Sequence, residues 1–516
     1  MLCNHSQQLL MLGTAAGPAC KTCREKCRKC DRGRPKCQRC ISKGLECGGY
    51  PDQYRFCGIA SRGRWKGARV PTPRNSKAES SIAESQQVST TATPGSVTPG
   101  RTEGVATRPS SKKPSRSATE VPDDIPKILN LTQTEMLLSH YESFICPHQI
   151  AEIGGTSSNP YRAYILPLAR KQIGLLYAIL GLSASHLGKL TGNMSLYEEA
   201  AVEYRLRAIR ALSEEIRKSQ GPNFLHEDEQ DAVLAIIQIL LLHDIAETGI
   251  STHGIHITGA MSVCKQLLLA DGLNSRRRRA VFFLGNLAWL DIIRAFAGPE
   301  RLCFSQDIRE TVASATDEMF ELVNGCPREI FLVIGAALEK AKEYNLGWLS
   351  WDEYQVALQS AKHKLYSFDR TARTYPSSDP RWMSTAEAFQ YACILRVLRL
   401  LNPLQQSRSN EIQECVARIL DATARIPSDC CLLELLVFPL FMGGSEALSP
   451  HSQYYVIARL NEIERRSEFR NPVPRELLEK VWAARAAQAS GDDRNISWTT
   501  FTHSPELTQQ HDYLII

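Results

Sequence analysis

Hydrophobic positions over most of the chain repeat with the spacing of α-helices. From about Ile125 onward, Leu, Ile, Ala and Tyr recur every three to four residues, most clearly over 175–190, 197–216 and 231–242. The strict alternation that is typical of strands is nearly absent. The pattern therefore predicts a large all-α domain over residues 128–487. Breaks are predicted at Asn159-Pro160 and Gly221-Pro222, and helix caps at Thr252, Asn274 and Ser350.

The segments around this domain have a different composition. Residues 75–127 are rich in Ser, Thr, Pro and Gly and hold few large apolar side chains, so they cannot bury enough surface to offset chain entropy. They are predicted to form a disordered linker. Residues 1–19 are predicted to be a flexible leader, and residues 488–516 a polar tail.

The sequence does not predict a membrane protein. No run of about 20 apolar residues occurs, and the weakly apolar stretch around residues 9–12 is short and lacks a basic flank. We therefore expect a soluble intracellular protein with no membrane partner.

Positive charge is concentrated near the N-terminus. Between Cys20 and Arg74 there are 16 Lys or Arg against four Asp or Glu, a balance of +12, although the whole chain carries only +6. Residues 75–516 therefore sum to −6, since residues 1–19 hold no Lys, Arg, Asp or Glu. A short cationic segment attached to a mildly acidic body indicates a polyanionic partner for that segment alone.

Cysteine is concentrated in the same region. Nine of the 17 cysteines lie in the first 57 residues, and six of them form an internal repeat of period 17 in CKTCREKCRKCDRGRPKCQRCISKGLEC. In this repeat Cys20, Cys23 and Cys30 correspond to Cys37, Cys40 and Cys47. Because no secretory signal accompanies them, metal ligation is favoured over a disulfide framework.

Six thiolates can hold two tetrahedral zinc ions only if some of them are shared. Two ions need eight metal–sulfur bonds, so two cysteines must bridge, and the symmetry of the repeat points to Cys20 and Cys37. A unit with so small a core takes most of its folding energy from the metal. The predicted fold is thus a small zinc-stabilised N-terminal domain of two short helices (residues 20–47), followed by a disordered linker and a large all-α domain.

The cysteine segment resembles the fungal zinc binuclear cluster, the six-cysteine, two-zinc DNA-binding domain of fungal transcription regulators. The resemblance includes basic residues after the second cysteine, Asp31 after the third, and Pro35-Lys36-Cys37. It implies that the first helix enters the major groove of double-stranded DNA and reads a CGG-type triplet through backbone carbonyls and adjacent basic side chains. Pro35 would shape the turn between the two halves.

Carried onto this sequence, the resemblance makes Lys26 the base-reading candidate. Cys27 stands where the family usually has a second basic residue, and Arg28 is the candidate to compensate. Three interpretations of Cys27 stay open, namely a spare thiol, a changed specificity and an oxidation-sensitive switch. Phosphate contacts are predicted for the remaining basic residues, Lys21, Arg24, Lys29, Arg39 and Lys43.

Residues 48–74 carry six Lys or Arg interleaved with Gly, Phe56 and Trp65. This composition predicts a basic arm along the phosphates or in the minor groove, and a nuclear import signal, with a flexible linker as the alternative. No heptad pattern follows the cysteines, so a coiled-coil dimer is not predicted. A homodimer or heterodimer through the helical domain stays open.

The helical domain resembles the second type of fungal-specific transcription factor domain. The stretches NPYRAYILPLA (159–169), LYAILGLSASHLGKL (176–190) and VFPLFMGGSEA (437–447) carry this resemblance. Together the two resemblances imply a zinc-dependent, sequence-specific transcription factor of RNA polymerase II genes, which acts in the nucleus and contacts the transcription machinery. The alternative is a regulator that works mainly through protein contacts and has weak DNA affinity. A zinc enzyme is not predicted, because the cluster offers neither a histidine nor an open metal position.

Three further features carry expectations. Asp291, in an otherwise apolar helix, is predicted to satisfy a buried hydrogen bond. The four arginines at 276–279 are predicted to be a solvated loop or a helix start, with a second import signal as the alternative. Trp498, Phe501, Tyr513 and Leu514 lie in the acidic tail and are predicted to belong to a short disordered end, with recruitment of the transcription machinery as the alternative.

Overall fold

The computed structural model describes residues 20–26, 28–31, 36–47, 132–151, 159–219, 225–251, 257–261, 263–264, 277–316, 318–488, 494–502 and 512–515. They belong to two compact units, an N-terminal unit and a helical unit, and each is described by itself. The predicted leader (1–19), basic arm (48–74) and linker (75–127) lie outside the described residues, so the domain boundaries stay predictions.

Helices account for nearly all of the regular structure. The N-terminal unit holds α1 (Lys21–Glu25) and α2 (Gln38–Ser42). The helical unit holds α3 (Thr132–His140), α4 (Leu166–Ala169), α5 (Ile173–Thr191), α6 (Met194–Ser219), α7 (Glu227–Glu247), α8 (Arg278–Ala297), α9 (Gln306–Ala315), α10 (Met319–Asn324), α11 (Arg328–Asn345), α12 (Trp351–Tyr366), α13 (Arg381–Leu401), α14 (Asn410–Ala424), α15 (Val437–Glu446), α16 (Pro450–Ser467) and α17 (Val473–Ala486). Shorter helical turns cover Tyr141–Ile145, Cys146–Gln149, Tyr161–Ile165, Pro299–Arg301, Cys431–Leu436 and Trp498–Phe501. Two short strands, β1 (Ile250–Ser251) and β2 (Asp512–Tyr513), pair antiparallel.

The predicted fold class is confirmed. The three segments with the clearest helical spacing lie within α5, α6 and α7. Ser350 is the N-cap of α12: its hydroxyl accepts the Glu353 N–H at 3.3 Å, and the Glu353 carboxylate accepts the Ser350 N–H at 3.0 Å. The break at Asn159-Pro160 is also present, with the Asn159 side chain accepting the Tyr161 N–H at 2.9 Å. Gly221-Pro222, Thr252 and Asn274 lie outside the described residues.

Helix α8 is the centre of the helical unit. Every residue from Ala280 to Ala297 is buried, and the helix contacts α7, α9, α10 and α11 as well as β2. By length and composition α5 and α8 are both apolar enough to cross a membrane, but most of each helix is buried inside the unit. A helix that is apolar all round is typical of such a core position.

Asp291 joins α8 to the loop before α9. Its carboxylate is fully buried and accepts the backbone N–H groups of Cys303, at 2.8 Å and 3.0 Å, and of Phe304, at 2.9 Å. Desolvation raises the pKa of this carboxyl to about 6, although Arg294 and the two backbone donors act in the opposite direction. The predicted buried hydrogen bond is confirmed.

The arginine run at 276–279 is a helix start, as expected, but it is not simply solvated. The Arg277 guanidinium lies 3.2 Å from the Asp231 carboxylate, and Arg279 lies 2.9 Å from the same carboxylate and 2.5 Å from that of Asp228. Asp231 is buried, so its charge requires these partners. The expectation of a solvated run is wrong for Arg277 and Arg279, which tie α8 to α7.

The expectation of a disordered end is wrong for residues 494–502 and 512–515. Trp498 is buried with its ring edge-on to Phe441, and Leu514 and Ile515 are buried as well. Asp512 accepts from the Arg301 guanidinium at 3.3 Å, while Tyr513 pairs with Ile250 across the two strands. These apolar residues are buried because the folded helical unit provides apolar surfaces for them. The composition of the tail does not reveal these surfaces.

Arg309 is a charged side chain that is completely buried in the core. Its guanidinium is fully buried, donates to the Phe304 carbonyl, and lies 2.6 Å from the Glu339 carboxylate. The space for it is provided by Gly335 in α11, where an added Cβ would stand 2.5 Å from Nε and 2.7 Å from Cδ of Arg309. Because hydrogen bonds hold the guanidinium in place, it cannot move away easily.

We predict that Gly335→Ala destabilises the protein by about 1–3 kcal/mol, the usual cost of overpacking a core. The control is Gly285→Ala in α8, where an added Cβ meets only ordinary contacts, the nearest at 3.4 Å. This change should be neutral or should stabilise by up to about 1 kcal/mol through helix propensity. Urea unfolding of both variants measures the difference, and equal effects would contradict the assigned clash.

We predict a pH-dependent effect of Asp291→Asn. A carboxyl whose pKa is higher in the folded than in the unfolded chain stabilises the fold at low pH, and this contribution is lost as the pH rises to about 6. Asparagine has no carboxyl group to deprotonate, so the variant does not lose this stability as the pH rises. Its free energy of unfolding relative to the natural protein should therefore increase between about pH 4 and pH 7 by an amount on the order of 3 kcal/mol. The exposed Asp307→Asn serves as the control, and parallel curves for natural protein and Asp291→Asn would refute the assignment.

Candidate metal centre

The two halves of the cysteine repeat form two similar helical turns. Cys20 and Cys37 immediately precede α1 and α2, and each thiol accepts the backbone N–H of the cysteine three residues later, at 3.4 Å. Cys20, Cys23, Cys37 and Cys40 are all fully buried. A helical turn brings residues i and i+3 to one side, so each half directs two sulfurs towards the other half.

The six sulfurs form two groups of four. One group contains Cys20, Cys23, Cys30 and Cys37, and in each group the sulfurs lie within 4.8 Å of one another. In the second group Cys40 and Cys47 replace Cys23 and Cys30. Cys20 and Cys37 therefore belong to both groups, which is the sharing that eight bonds from six thiolates require.

The sulfur separations fit zinc and exclude disulfide bonds. The Sγ atoms of Cys20 and Cys37 are 3.6 Å apart, Cys20 and Cys40 are 3.7 Å apart, and Cys23 and Cys37 are 3.7 Å apart. A tetrahedral zinc ion with Zn–S bonds of about 2.3 Å needs sulfurs about 3.8 Å apart, whereas a disulfide needs about 2.05 Å. Two zinc ions, each held by four sulfurs with Cys20 and Cys37 bridging, match this geometry.

Because the cysteine sulfurs are buried, their thiolate forms need a metal cation beside them. Desolvation raises the pKa values of the Cys20, Cys37 and Cys40 thiols. Thiolates at these positions need a strong positive charge beside them, and coordinated zinc provides it because it deprotonates its thiol ligands. Metal binding and folding of the unit are therefore coupled.

Polar contacts outside the sulfurs connect the two halves. Both carboxylate oxygens of Asp31 accept backbone N–H groups at the start of α2, from Gln38 at 2.9 Å and Arg39 at 3.0 Å. The Thr22 hydroxyl donates to the Glu46 carbonyl at 2.8 Å. The sequence indicated Asp31 only as part of the family resemblance, and it gave no signal for Thr22.

The structure places most of the predicted DNA-contacting side chains in solvent. Five of them are exposed, namely Lys21, Lys26, Arg28, Lys29 and Lys43. Arg39 is half-buried, and its guanidinium donates to the Cys23 sulfur at 3.5 Å, so it faces the cluster. Lys36 is exposed as well and was not among the predicted contacts. The Arg24 side chain, Cys27 and Pro35 lie outside the described residues.

Within the described parts of the chain, the two four-cysteine groups are the only groups of His, Cys, Asp or Glu arranged to hold a metal ion. The remaining described cysteines form no disulfide bonds with one another, and most of them are buried in the helical unit.

Comparisons with known proteins agree with this geometry. Residues 18–55 match the fungal Zn(2)-Cys(6) binuclear cluster domain, and residues 136–516 match the fungal specific transcription factor domain. The chain is 22% identical to the "Acriflavine sensitivity control protein acr-2" of Neurospora crassa, over 93% of this chain and 94% of that protein. It is 23% identical to the "Pestheic acid cluster transcriptional regulator 3" of Pestalotiopsis fici, over 96% of this chain and 98% of that protein. No solved structure matches the chain.

The zinc cluster domain holds two zinc ions, and the six cysteines that the sequence brings to one place are those that the structure groups around two sites. The larger match covers most of the chain and nearly all of the helical unit. The chain therefore belongs to the family of fungal DNA-binding transcription factors that combine a Zn(2)-Cys(6) binuclear cluster with a fungal specific transcription factor domain.

Proposed function

We propose that this protein is a sequence-specific regulator of RNA polymerase II transcription in the nucleus, and that α1 reads a short CGG-like triplet in the major groove. Its families are those of transcription factors rather than of enzymes, and one relative carries "transcriptional regulator" in its name. Contacts with the transcription machinery, and a homodimer or heterodimer through the helical unit, are part of the same proposal.

The observation that carries the proposal is the sharing of Cys20 and Cys37 between two four-sulfur sites. This sharing fixes α1 and α2 against a common centre, although neither helix is long enough to be stable in water by itself. Lys21 follows the first shared cysteine and is exposed, as is Lys26 at the end of α1. The metal cluster thus presents cationic side chains on a rigid support.

The individual basic side chains are proposed to have different roles. Lys26 directly follows α1, and its backbone N–H is bonded to the Thr22 carbonyl at 3.2 Å, so the start of its side chain is held by the helical turn. We assign Lys26, supported by Arg28, to base recognition. Lys21, Arg24, Lys29 and Lys43 are assigned to phosphates, where they contribute affinity and register.

Arg39 is assigned a mixed role. A guanidinium that donates to a ligand sulfur offsets part of the −2 formal charge of two Zn²⁺ with six thiolates. The same group would be brought close to a phosphate when the cluster docks on DNA. Arg39 would then neutralise the cluster in the free protein and contact the duplex in the complex.

We predict that the metal content depends on which cysteine is removed. The full-length protein should contain two zinc ions per chain, and Cys37→Ala should lose both because it removes a ligand from each site. Cys47→Ala removes a ligand from one site only and should leave about one zinc per chain. Elemental analysis of the purified protein measures the stoichiometry.

Cys27→Ser is the matched control, since it changes a cysteine of the same segment that is not assigned as a ligand. It should retain two zinc ions. Loss of zinc from Cys27→Ser, or retention of both ions in Cys37→Ala, would overturn the assigned ligand set.

We predict that Lys26→Ala and Lys43→Ala weaken DNA binding in different ways. Lys26→Ala should reduce the preference for a CGG duplex over a duplex with the triplet scrambled, by about 1–3 kcal/mol. Lys43→Ala should weaken binding to both duplexes alike and lower the salt dependence by about one phosphate contact. Fluorescence anisotropy at several salt concentrations separates the two effects.

A natural protein that binds both duplexes equally and weakly would favour the regulator that acts mainly through protein contacts. A uniform effect of Lys26→Ala on both duplexes would move this residue from base recognition to phosphate contact.

A further inference from the structure

The helical unit contains a cavity that is partly open to solvent and has mostly apolar walls. Its volume is about 190 Å³, and it lies among α7, α8, α10, α13 and the segments from Cys431 to Leu436 and from α15 to α17. An engineered apolar cavity of about 150 Å³ suffices to bind benzene. The space therefore suits a small ring compound that carries one or two substituents.

One wall of the cavity is aromatic. The ring centroids of Trp289 and Phe389 are 5.8 Å apart, those of Trp289 and Phe438 are 6.0 Å apart, and those of Phe389 and Phe438 are 6.1 Å apart. All three side chains are buried and line the cavity. Aromatic faces and edges grouped in this way favour a flat aromatic partner.

Two buried amides on the cavity wall have hydrogen-bonding atoms without a partner in the described structure. Gln238 in α7 is 1% exposed and donates to the Tyr161 hydroxyl at 2.9 Å, but its Oε1 atom has no donor among the described residues. Asn286 in α8 is 4% exposed and accepts from Asn324 at 3.3 Å, but its Nδ2 atom has no acceptor there.

Amide orientation alone does not remove the unpaired atom of Gln238. The Tyr161 hydroxyl can either donate or accept, so turning the Gln238 amide over only exchanges which of its two atoms is left unpaired. An unpaired polar group at this depth costs about 1–3 kcal/mol, and such groups in native proteins usually have a partner. In the amide orientations that the structure has, Gln238 Oε1 and Asn286 Nδ2 together require one donor and one acceptor from a guest.

The charged side chains at the cavity are already paired with one another. Glu434 lies 3.0 Å from His148 and 2.6 Å from Arg466, and Glu464 lies 3.6 Å from Arg475. Among the described lining residues, no acidic or basic group is therefore left over to neutralise a charged guest. The guest should be uncharged.

We infer that this cavity is a binding site for a neutral aromatic small molecule that carries a hydroxyl or carboxamide group, with that group bonded to Gln238 and Asn286 and the ring against Trp289, Phe389 and Phe438. A hydroxyl provides one donor and one acceptor on a single atom, and a carboxamide provides both functions on neighbouring atoms. The site lies within the helical unit and does not depend on the proposed DNA contacts.

The test uses four ring compounds of similar size with the full-length, zinc-loaded protein. Phenol and benzamide have the required polar group, toluene lacks it, and benzoate carries a charge. Ligand-observed NMR titration should show saturable binding of phenol and benzamide, at least tenfold weaker binding of toluene, and no binding of benzoate. The inference would be overturned if neither phenol nor benzamide bound saturably, because water alone would then occupy the cavity. It would also be overturned if toluene bound as tightly as phenol and benzamide.

Asn286→Leu tests the assigned polar contact. It keeps the approximate size of the side chain but removes the free donor, so it should weaken benzamide binding at least tenfold while leaving toluene binding within about twofold of its original value. The control is Asn345→Leu, the same substitution at an exposed position at the end of α11. Unchanged benzamide binding in Asn286→Leu would overturn the assignment.

The selectivity among the four compounds in the natural protein keeps the inference testable if Asn286→Leu does not fold. Loss of ligand binding would leave the zinc and DNA results unaffected, so failure of this inference and failure of the proposed function are distinguishable.

Discussion

The N-terminal unit depends on two sulfurs that each belong to two metal sites. Its buried core consists of four cysteines, with Cys30, Leu45 and Cys47 packed at the edge, which is far less apolar surface than a domain needs to fold. Thiolate–zinc bonds therefore replace hydrophobic burial as the main source of stability. Because Cys20 and Cys37 are shared, the two halves of the repeat cannot separate without breaking both sites, and this makes the short helices a rigid support for lysines.

The helical unit contains buried charged side chains that are paired with one another. Arg399 and Glu446 are both buried and form a two-pronged contact at 2.8 Å and 2.6 Å, which the Ser407 hydroxyl extends at 2.6 Å. Buried charges of this kind are costly unless all of them are matched, so they favour one arrangement of helices over similar alternatives. The cavity beside α8 combines unpaired amide atoms, on Gln238 and Asn286, with a space that can hold a small molecule.

Some expectations held because their physical causes lie within a few residues. The cysteine spacing predicted the ligands, since a helical turn and a short loop decide which sulfurs meet. Ser350 was identifiable as a cap because its partner Glu353 lies three residues away. Asp291 was recognised as a buried hydrogen-bonding group because it interrupts an apolar helix, although the sequence could not indicate that its partners are the backbone of Cys303 and Phe304.

Other expectations failed because the deciding partner is distant in sequence. Arg277 has a hydrophilic neighbourhood in the chain, but its carboxylate partner Asp231 is 46 residues earlier on another helix. Asp512 contacts Arg301, which lies 211 residues earlier in the sequence. This contact helps to hold the C-terminal residues, which have a polar composition, against the core.

The sequence by itself determined the metal, the number of ions, the identity of the ligands and the helical class of the larger unit, because these follow from spacing and periodicity within a few turns of chain. Only the tertiary structure decided that Arg39 faces a sulfur, that the last residues pack into the core, and that Gln238 and Asn286 line one cavity. Such outcomes depend on which surfaces of distant helices come together, and packing over long separations leaves no local pattern in the sequence.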